Sequence, residues 1–429
     1  MPFTAKEPDI RARRHTVLRS LGLGLITGAA DDDCSAIGTY AQAGAQFGYG
    51  ILWTAPVTLP MMVAVIYLSG KLGQVTGQGL FAVLKSHAPR WLLFTVLAGV
   101  IFGNIIEAGA DIGGMAAAAG ILIHVPQWVI VVTITLLALV LQVWGSYTVI
   151  RDVLRILAMS LLAYVGSAFL SHPDLSQVLR GTLIPTLHMN RDSMAILVAI
   201  IGTSLSAYLY TWQSNEEVEE KIAVGRRTLR QRRGTTEAEL KTSLWDVILG
   251  MLFSNVIMYF IILATAATLF AAGHHNIGSA ADAAQSLRPL AGSFAGLLFS
   301  LGIIGVGFLA IPVMTTGAAY DLCQSVGWKN GLSHKPGDAR SFYAAIALFT
   351  LVAMGINFVG INPMRALVLA GIVQGFSTPP LMLLIMIITN RRSIMGDKVN
   401  GRMVNILGWT TTTIIFAASG SLFFSYIHH

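Results

Sequence analysis

Apolar residues gather into long runs separated by short polar segments, a pattern with the ~20-residue length of membrane-crossing helices. The runs are Val17–Phe47, Trp53–Leu68, Leu92–Ile123, Val125–Val143, Val153–Leu170, Met194–Glu220, Trp245–Phe270, Phe294–Leu322, Tyr343–Phe358, Ala366–Thr389 and Met403–Tyr426. They predict an all-α, polytopic membrane protein with eleven transmembrane helices. The polar segments between them carry the basic residues with a strict alternation. If the N-terminus is cytoplasmic, 24 of the 28 Lys and Arg residues fall on the cytoplasmic side and only Arg180, Arg191, Arg288 and Arg365 fall outside. A miscounted helix would scramble that partition, so the bias supports both the number of spans and their polarity.

Two of the runs are interrupted at mid-length. In the first, glycines at 22, 24 and 28 lead into Ala29-Ala30-Asp31-Asp32-Asp33-Cys34-Ser35. In the sixth, Gly202 leads into Thr203-Ser204-Leu205-Ser206-Ala207-Tyr208. A carboxylate near a bilayer centre costs ~2.5–3.5 kcal/mol even on insertion scales, so three in succession need a cavity, a partner or an ion. Consecutive helical residues point ~100° apart, so the three aspartates cannot line one site unless the helix unwinds. Two interruptions five spans apart, in helices entering from opposite sides, fit an inverted repeat of helices one to five (15–171) and six to ten (194–391). On this reading residues 1–14 are a cytoplasmic tail, 403–427 an added helix, and the whole chain one transporter domain. Carbonyls freed by unwinding, hydroxyls and a carboxylate together make a cation site.

Composition agrees and excludes other classes. With 54% hydrophobic and 11% charged residues the chain departs from soluble domains, where about a quarter of residues are charged. The net charge of +7 does not imply nucleic acid, because the basic residues sit in short loops at helix ends, where topology and anionic lipid account for them. The two cysteines, Cys34 and Cys323, lie on different spans without CxxC or Cys/His spacing, which excludes a disulfide scaffold and a zinc site by pattern. The first span is too long and polar for a cleaved signal peptide. No enzyme is expected: an intramembrane aspartyl protease would need a Gly-x-Gly-Asp pattern, and none occurs. No cofactor and no nucleic-acid partner are expected; the partners are a cation and the lipid bilayer, with a monomer compatible with the pattern.

A second polar stripe lies on helix three, where Asn104, Glu107 and Asp111 are three and four residues apart and share a face. Two carboxylates in that relation repel unless a proton or a cation lies between them, which assigns them to a hydrated cation path; a buried polar cluster with a structural purpose is the alternative. The acidic run Glu216–Glu220 closes helix six beside Arg226–Arg233. It reads either as a vestibule concentrating cations or as a solvated helix end paired with arginines. His274 and His275 have no third ligand at metal spacing and are expected to be solvent-exposed.

The stretch Gly24 to Ser35 resembles the first-helix motif of the NRAMP divalent-metal transporters, Asp-Pro-Gly-Asn in typical members. Thr203–Tyr208 sits where those members carry Ala-x-Met-Pro-His, and Asn390–Gly396 is similar to a further signature. The similarity is greatest to the NRAMP-related magnesium transporters, with Asp-Asp-Asp-x-Ser in helix one and Ser-x-Tyr-Leu-x-x-Trp-Gln in helix six, here Ser206 to Gln213. The resemblance implies the LeuT-type fold, alternating access and import of Mg2+ or Mn2+ across the cytoplasmic (inner) membrane. It matches Asp33 to the metal-binding aspartate and implies a site of the Asp33 carboxylate, the carbonyls near Ala30 and Thr203, and the Ser206 hydroxyl. Asp31, Asp32, Asn104, Glu107, Asp111, Tyr208 and Gln374 would line the cation pathway, although the register set by Pro379 and Pro380 puts Gly371 or Ile372, not Gln374, at the family's glutamine position.

Departures from the typical motif point to a hard ion. Cys34 replaces the proline, Ala36 the asparagine and Ser206 the methionine, so a thioether and an amide ligand are gone. Magnesium prefers oxygen and keeps its waters, whereas thioether and thiolate favour softer metals. A Cys34 thiolate facing the site would reverse that preference; otherwise the residue is a small packing group. Helix six lacks the family's histidine and helix nine, Tyr343–Phe358, its arginines, so the proton route is incomplete. A proton-coupled Mn2+/Fe2+ transporter and a sodium-coupled organic-solute symporter are the alternatives.

Overall fold

The computed structural model describes residues 23–144, 159–186 and 190–427, and among these every regular element is helical. The tail 1–14, the start of the first run and the first part of the fifth lie outside the described residues. In chain order the principal helices are α1 (Leu23–Asp31), α2 (Cys34–Phe47), α3 (Thr54–Thr76), α4 (Arg90–Leu122), α5 (Gln127–Trp144), α6 (Ala163–Leu170), α7 (Arg191–Ser204), α8 (Ala207–Ala223) and α9 (Glu237–Thr265). They continue with α10 (Ala295–Val326), α11 (Arg340–Ile356), α12 (Pro363–Thr389) and α13 (Arg402–Ile427). Helical segments occupy all eleven expected runs, and seven of the resulting spans are long and apolar enough to cross a membrane alone. Large apolar side chains stay on the outer surface, among them Leu136, Leu137, Phe169, Leu249 and Phe423, the placement lipid favours.

The two interruptions are chain breaks within continuous spans. Helix one stops at Asp31 and restarts at Cys34; helix six stops at Ser204 and restarts at Ala207. Asp33 is extended (φ −67°, ψ 179°) and caps α2, its side chain accepting from the Ala36 amide. Ser206 is likewise extended (φ −60°, ψ 137°) ahead of α8. Side chains bond four of the carbonyls at the breaks. Ala30 O accepts from Tyr208 (2.8 Å), Gly202 O and Thr203 O from Ser206 Oγ (2.8 and 3.0 Å), and Leu205 O from Tyr210 (2.6 Å) and Thr378 (3.2 Å). Polar side chains thus do at mid-span what water would do outside a membrane.

Glycines seat the broken helices against their neighbours. A Cβ on Gly28 of α1 would stand 2.2 Å from Gly250 O on α9, and one on Gly202 of α7 would stand 1.9 Å from Gly371 O on α12. Backbone meets backbone at both places, as small residues allow in helix packing within membranes. In α12, Pro379 cannot bond the carbonyl four residues earlier; that group, Gly375 O, accepts instead from Ser419 of α13 (2.7 Å), so α13 repairs the ladder the proline interrupts.

Candidate functional site

The breaks bring α1–α2 and α7–α8 together with α4, α9 and α12 around five carboxylates, Asp31, Asp32, Asp33, Glu107 and Asp111, each fully buried. They divide into two groups. Asp33 Oδ1 accepts from Ala36 N (2.7 Å) and Ser35 Oγ (2.8 Å), and its Oδ2 from Tyr208 (3.0 Å). Ser35 Oγ also lies 3.0 Å from Glu107 Oε1, and Ser206 Oγ 3.3 Å from the same oxygen. Glu107 Oε2 accepts from Gln374 Nε2 (2.6 Å), which also reaches Asn104 Oδ1 (3.3 Å). Glu107 is therefore the junction of both breaks and of α12. Asp111, one turn along α4, accepts from Ser35 N (3.0 Å).

Asp31 and Asp32 form the other group, away from Tyr208 and toward α9. Both share one hydroxyl, Ser254 Oγ, at 2.6 and 3.0 Å, while Asp31 Oδ1 and Asp32 Oδ2 have no hydrogen-bonding partner. The triple aspartate splits because Asp31 ends one helix and Asp33 caps the next. Among the described residues none of the five carboxylates forms an ion pair with Lys, Arg or His.

Among the described residues no group of three or more His, Cys, Asp and Glu side chains is arranged as a metal cage. What converges is two carboxylates bridged by a serine, with hydroxyl, carbonyl and amide oxygens around them. The expected residues Asp33, Ala30, Thr203, Ser206, Tyr208, Asn104, Glu107, Asp111 and Gln374 all meet in this region. Thr203 takes part through its carbonyl; its hydroxyl bonds back to Ala199 O (3.0 Å), a common habit of threonine in helices. Gln374, placed out of register by the two prolines, in fact lies on Glu107.

Cys34 turns away from this group. It packs between α4 and α10, and its thiol donates to Ile303 O (3.4 Å). Ser35, the bridge, stands in the Asp-Asp-Asp-x-Ser match but was given no role there, and Ser254 went unmarked in the sequence. Ser35 could have been found from its place two residues after Asp33 at a helix start; Ser254 carries no local signal.

At the basic end of helix six the solvated reading needs correction. Glu216 and Glu217 are buried, and Glu217 accepts from Gln74 (2.7 Å), Ser243 (2.7 Å) and Gln213 (3.2 Å). Lys221 is turned to backbone carbonyls, Gln74 O (2.5 Å), Gly234 O (2.7 Å) and Arg232 O (2.8 Å). Arg226 pairs with Glu239 of α9 (3.1 Å), outside the acidic run. Helix nine begins at Arg340, before the expected Tyr343, so it does contain an arginine, at its exposed first residue. His274 and His275 are exposed.

The profile of the Natural resistance-associated macrophage protein-like family, Nramp, matches residues 24–425. The chain belongs to the Nramp family. This Nramp protein is 25% identical over 427 residues to the divalent metal cation transporter MntH of Klebsiella pneumoniae strain 342, spanning 96% of this chain and 95% of that one. Its fold is that of the Eremococcus coleocola manganese transporter, seen in complex with an aromatic bis-isothiourea compound (TM-score 0.78, 17% identity, 97% of this chain and 88% of that one). It is also similar to Mhp1, a nucleobase-cation-symport-1 family transporter, in a closed conformation (TM-score 0.54, 12% identity, 95% and 92%). These likenesses establish the LeuT-like architecture for this Nramp chain.

Proposed function

We propose that this Nramp protein imports hydrated divalent cations, Mg2+ and Mn2+, across the cytoplasmic membrane by alternating access, with its N-terminus cytoplasmic and without proton coupling. The observation that carries the reading is the meeting of Asp33 and Glu107 on Ser35 where both broken helices stop. Every other group there is also oxygen or amide: the Ser206 and Tyr208 hydroxyls, the Ala30 and Thr203 carbonyls and the Gln374 side chain. Such donors suit an ion that keeps part of its water shell, and the relatives named for divalent metal and manganese transport support the class of cargo.

Two features support uncoupled movement. Residues 191–223 contain no histidine, and the single arginine of α11, Arg340, is exposed at its first residue. Among the described residues the buried carboxylates form no ion pair with a basic side chain that could relay a proton. Purified protein in liposomes, loaded with a pH dye and given an inward Mg2+ or Mn2+ gradient, tests this. Influx of either ion with a steady internal pH is expected. Metal-driven internal acidification would refute the uncoupled reading in favour of a proton-coupled transporter, and absence of influx would refute transport of these ions.

A further inference from the structure

From the candidate site toward the basic end, α8 packs along α10, and their seam holds a carboxylate that takes no part in the Asp33–Glu107 group. Asp321 of α10 is fully buried and neither of its oxygens holds a well-formed hydrogen bond. The one hydroxyl that reaches it, Thr211 across the seam, has a single proton that it shares with Tyr208 O (3.1 Å). One turn further on the same face of α10, Ser325 is also buried, and its hydroxyl is unpartnered. Two polar side chains thus face a protein interior that leaves neither fully satisfied.

The seam is polar along its length. On α8 the positions Tyr208, Thr211, Asn215 and Glu219 recur at helical spacing. Tyr208 touches Asp33 (3.0 Å), Asn215 Oδ1 accepts from Gln324 of α10 (2.6 Å), and Glu219 accepts from Tyr320 of α10 (2.8 Å). One turn before Asp321, Gly317 carries no side chain; a methyl there would stand 3.5 Å from Thr211 Oγ1. The ladder begins at the candidate site and ends beside the basic loop, with Asp321 part-way.

A buried carboxylate left with one shared hydroxyl opposes folding, and a neutral asparagine of the same shape would oppose it less. The group that relieves such a charge is a mobile cation, and the cation available one turn from Tyr208 is the one Asp33 handles. We infer that Asp321 is a second, transient station for the divalent cation on its way from Asp33 to the cytoplasm, with the Thr211 and Ser325 hydroxyls as further oxygen donors. The inference rests on the transport reading above.

Mn2+ and Mg2+ uptake into liposomes, Mn2+ binding by calorimetry and thermal unfolding, measured on the full-length protein, test it. Asp321→Asn is expected to slow uptake about tenfold or more while Mn2+ affinity stays within about twofold, separating passage from binding at Asp33. Its melting temperature should be unchanged or higher, since a buried unpaired charge has gone, and Asp321→Glu should recover most of the uptake. Wild-type uptake by Asp321→Asn overturns the proposal and leaves the transport reading standing. So does a parallel loss of binding and uptake, the pattern expected of Asp33 variants. No uptake by the wild-type protein overturns both.

Discussion

Asp33→Asn separates the charge of the candidate site from its architecture. Asn caps a helix about as well as Asp, so the bond from Ala36 N (2.7 Å) to the side-chain oxygen survives. The other side of the group also adapts. Tyr208 has one proton and two acceptors, Ala30 O (2.8 Å) and Asp33 Oδ2 (3.0 Å). In the variant the new amide donates to the Tyr208 oxygen, and Tyr208 donates to Ala30 O alone. No buried group loses its partner, so the stability change stays within about 1 kcal/mol. Asp33→Ala removes the cap instead, which costs ~0.5–2 kcal/mol and mixes folding with function.

The effect on the ion is larger. A divalent cation held ~5 Å from the carboxylate through a water interacts with it by about 1.7 kcal/mol at the dielectric constant of water and about 6.6 kcal/mol at an effective constant of 20. The lower bound alone weakens binding more than about tenfold. Calorimetry with Mg2+ and Mn2+, paired with liposome uptake and a melting curve, reads all three quantities on one preparation. Expected are a near-native melting temperature, at least tenfold weaker affinity and uptake close to background. Affinity and uptake within threefold of wild type would show that Asp33 carries no charge of consequence to the ion.

Glu107→Gln should also fold, because Ser35 and Ser206 have other acceptors for their protons and can accept from the new amide; Mn2+ affinity should fall about tenfold in calorimetry. Ser206→Met, which restores the thioether of typical family members, should favour Mn2+ and Cd2+ over Mg2+ in competition uptake, because softer ions gain from sulfur. Gly202→Ala drives a methyl to 1.9 Å from Gly371 O and 2.5 Å from Gly375 N, and should destabilise by about 3 kcal/mol, seen as a lower melting temperature. Gly120→Ala, which meets nothing within 4 Å, is its control and should be neutral to stabilising.

The parts of this architecture legible in the sequence are those that depend on local chemistry. Apolar runs mark helices because a lipid-spanning segment must bond its own backbone, and the three adjacent aspartates mark a break because consecutive helical residues point ~100° apart. The shared face of Glu107 and Asp111 follows from their four-residue spacing. Partners were not legible. Ser254 lies 223 residues from Asp31, and a membrane helix apolar on both its lipid and protein faces offers no stripe from which to read its orientation. Gln374 was named as a pathway residue without a partner for that reason, and its contact with Glu107 comes only from the fold. Glu216 and Glu217 looked like a solvated helix end, although Gln74, Gln213 and Ser243 bury Glu217 in a polar network. Asp321 stood as one charge in a long apolar run, and only the seam with α8 gives it meaning.

The charge balance of the site ties these observations to selectivity. Five buried carboxylates that have no basic partner among the described residues cannot all stay ionised in a low-dielectric interior unless positive charge comes to them. A fixed arginine or lysine would settle the balance permanently and repel a cation; hydroxyls and amides settle it partly and leave the remainder for the cargo. Ser254 illustrates the economy, since its one proton serves both Asp31 and Asp32 in turn and leaves an oxygen of each unpartnered. The only thiol at the break, Cys34, faces Ile303 O on α10, so sulfur does not enter the Asp33–Glu107 group. On the proposed reading, a site whose charge is set by the ion it receives, and whose donors are oxygens able to bond water as well as metal, would favour a hydrated hard cation over a dehydrated soft one. Placing a thioether at position 206, as Ser206→Met does, changes the second of those conditions while leaving the first intact.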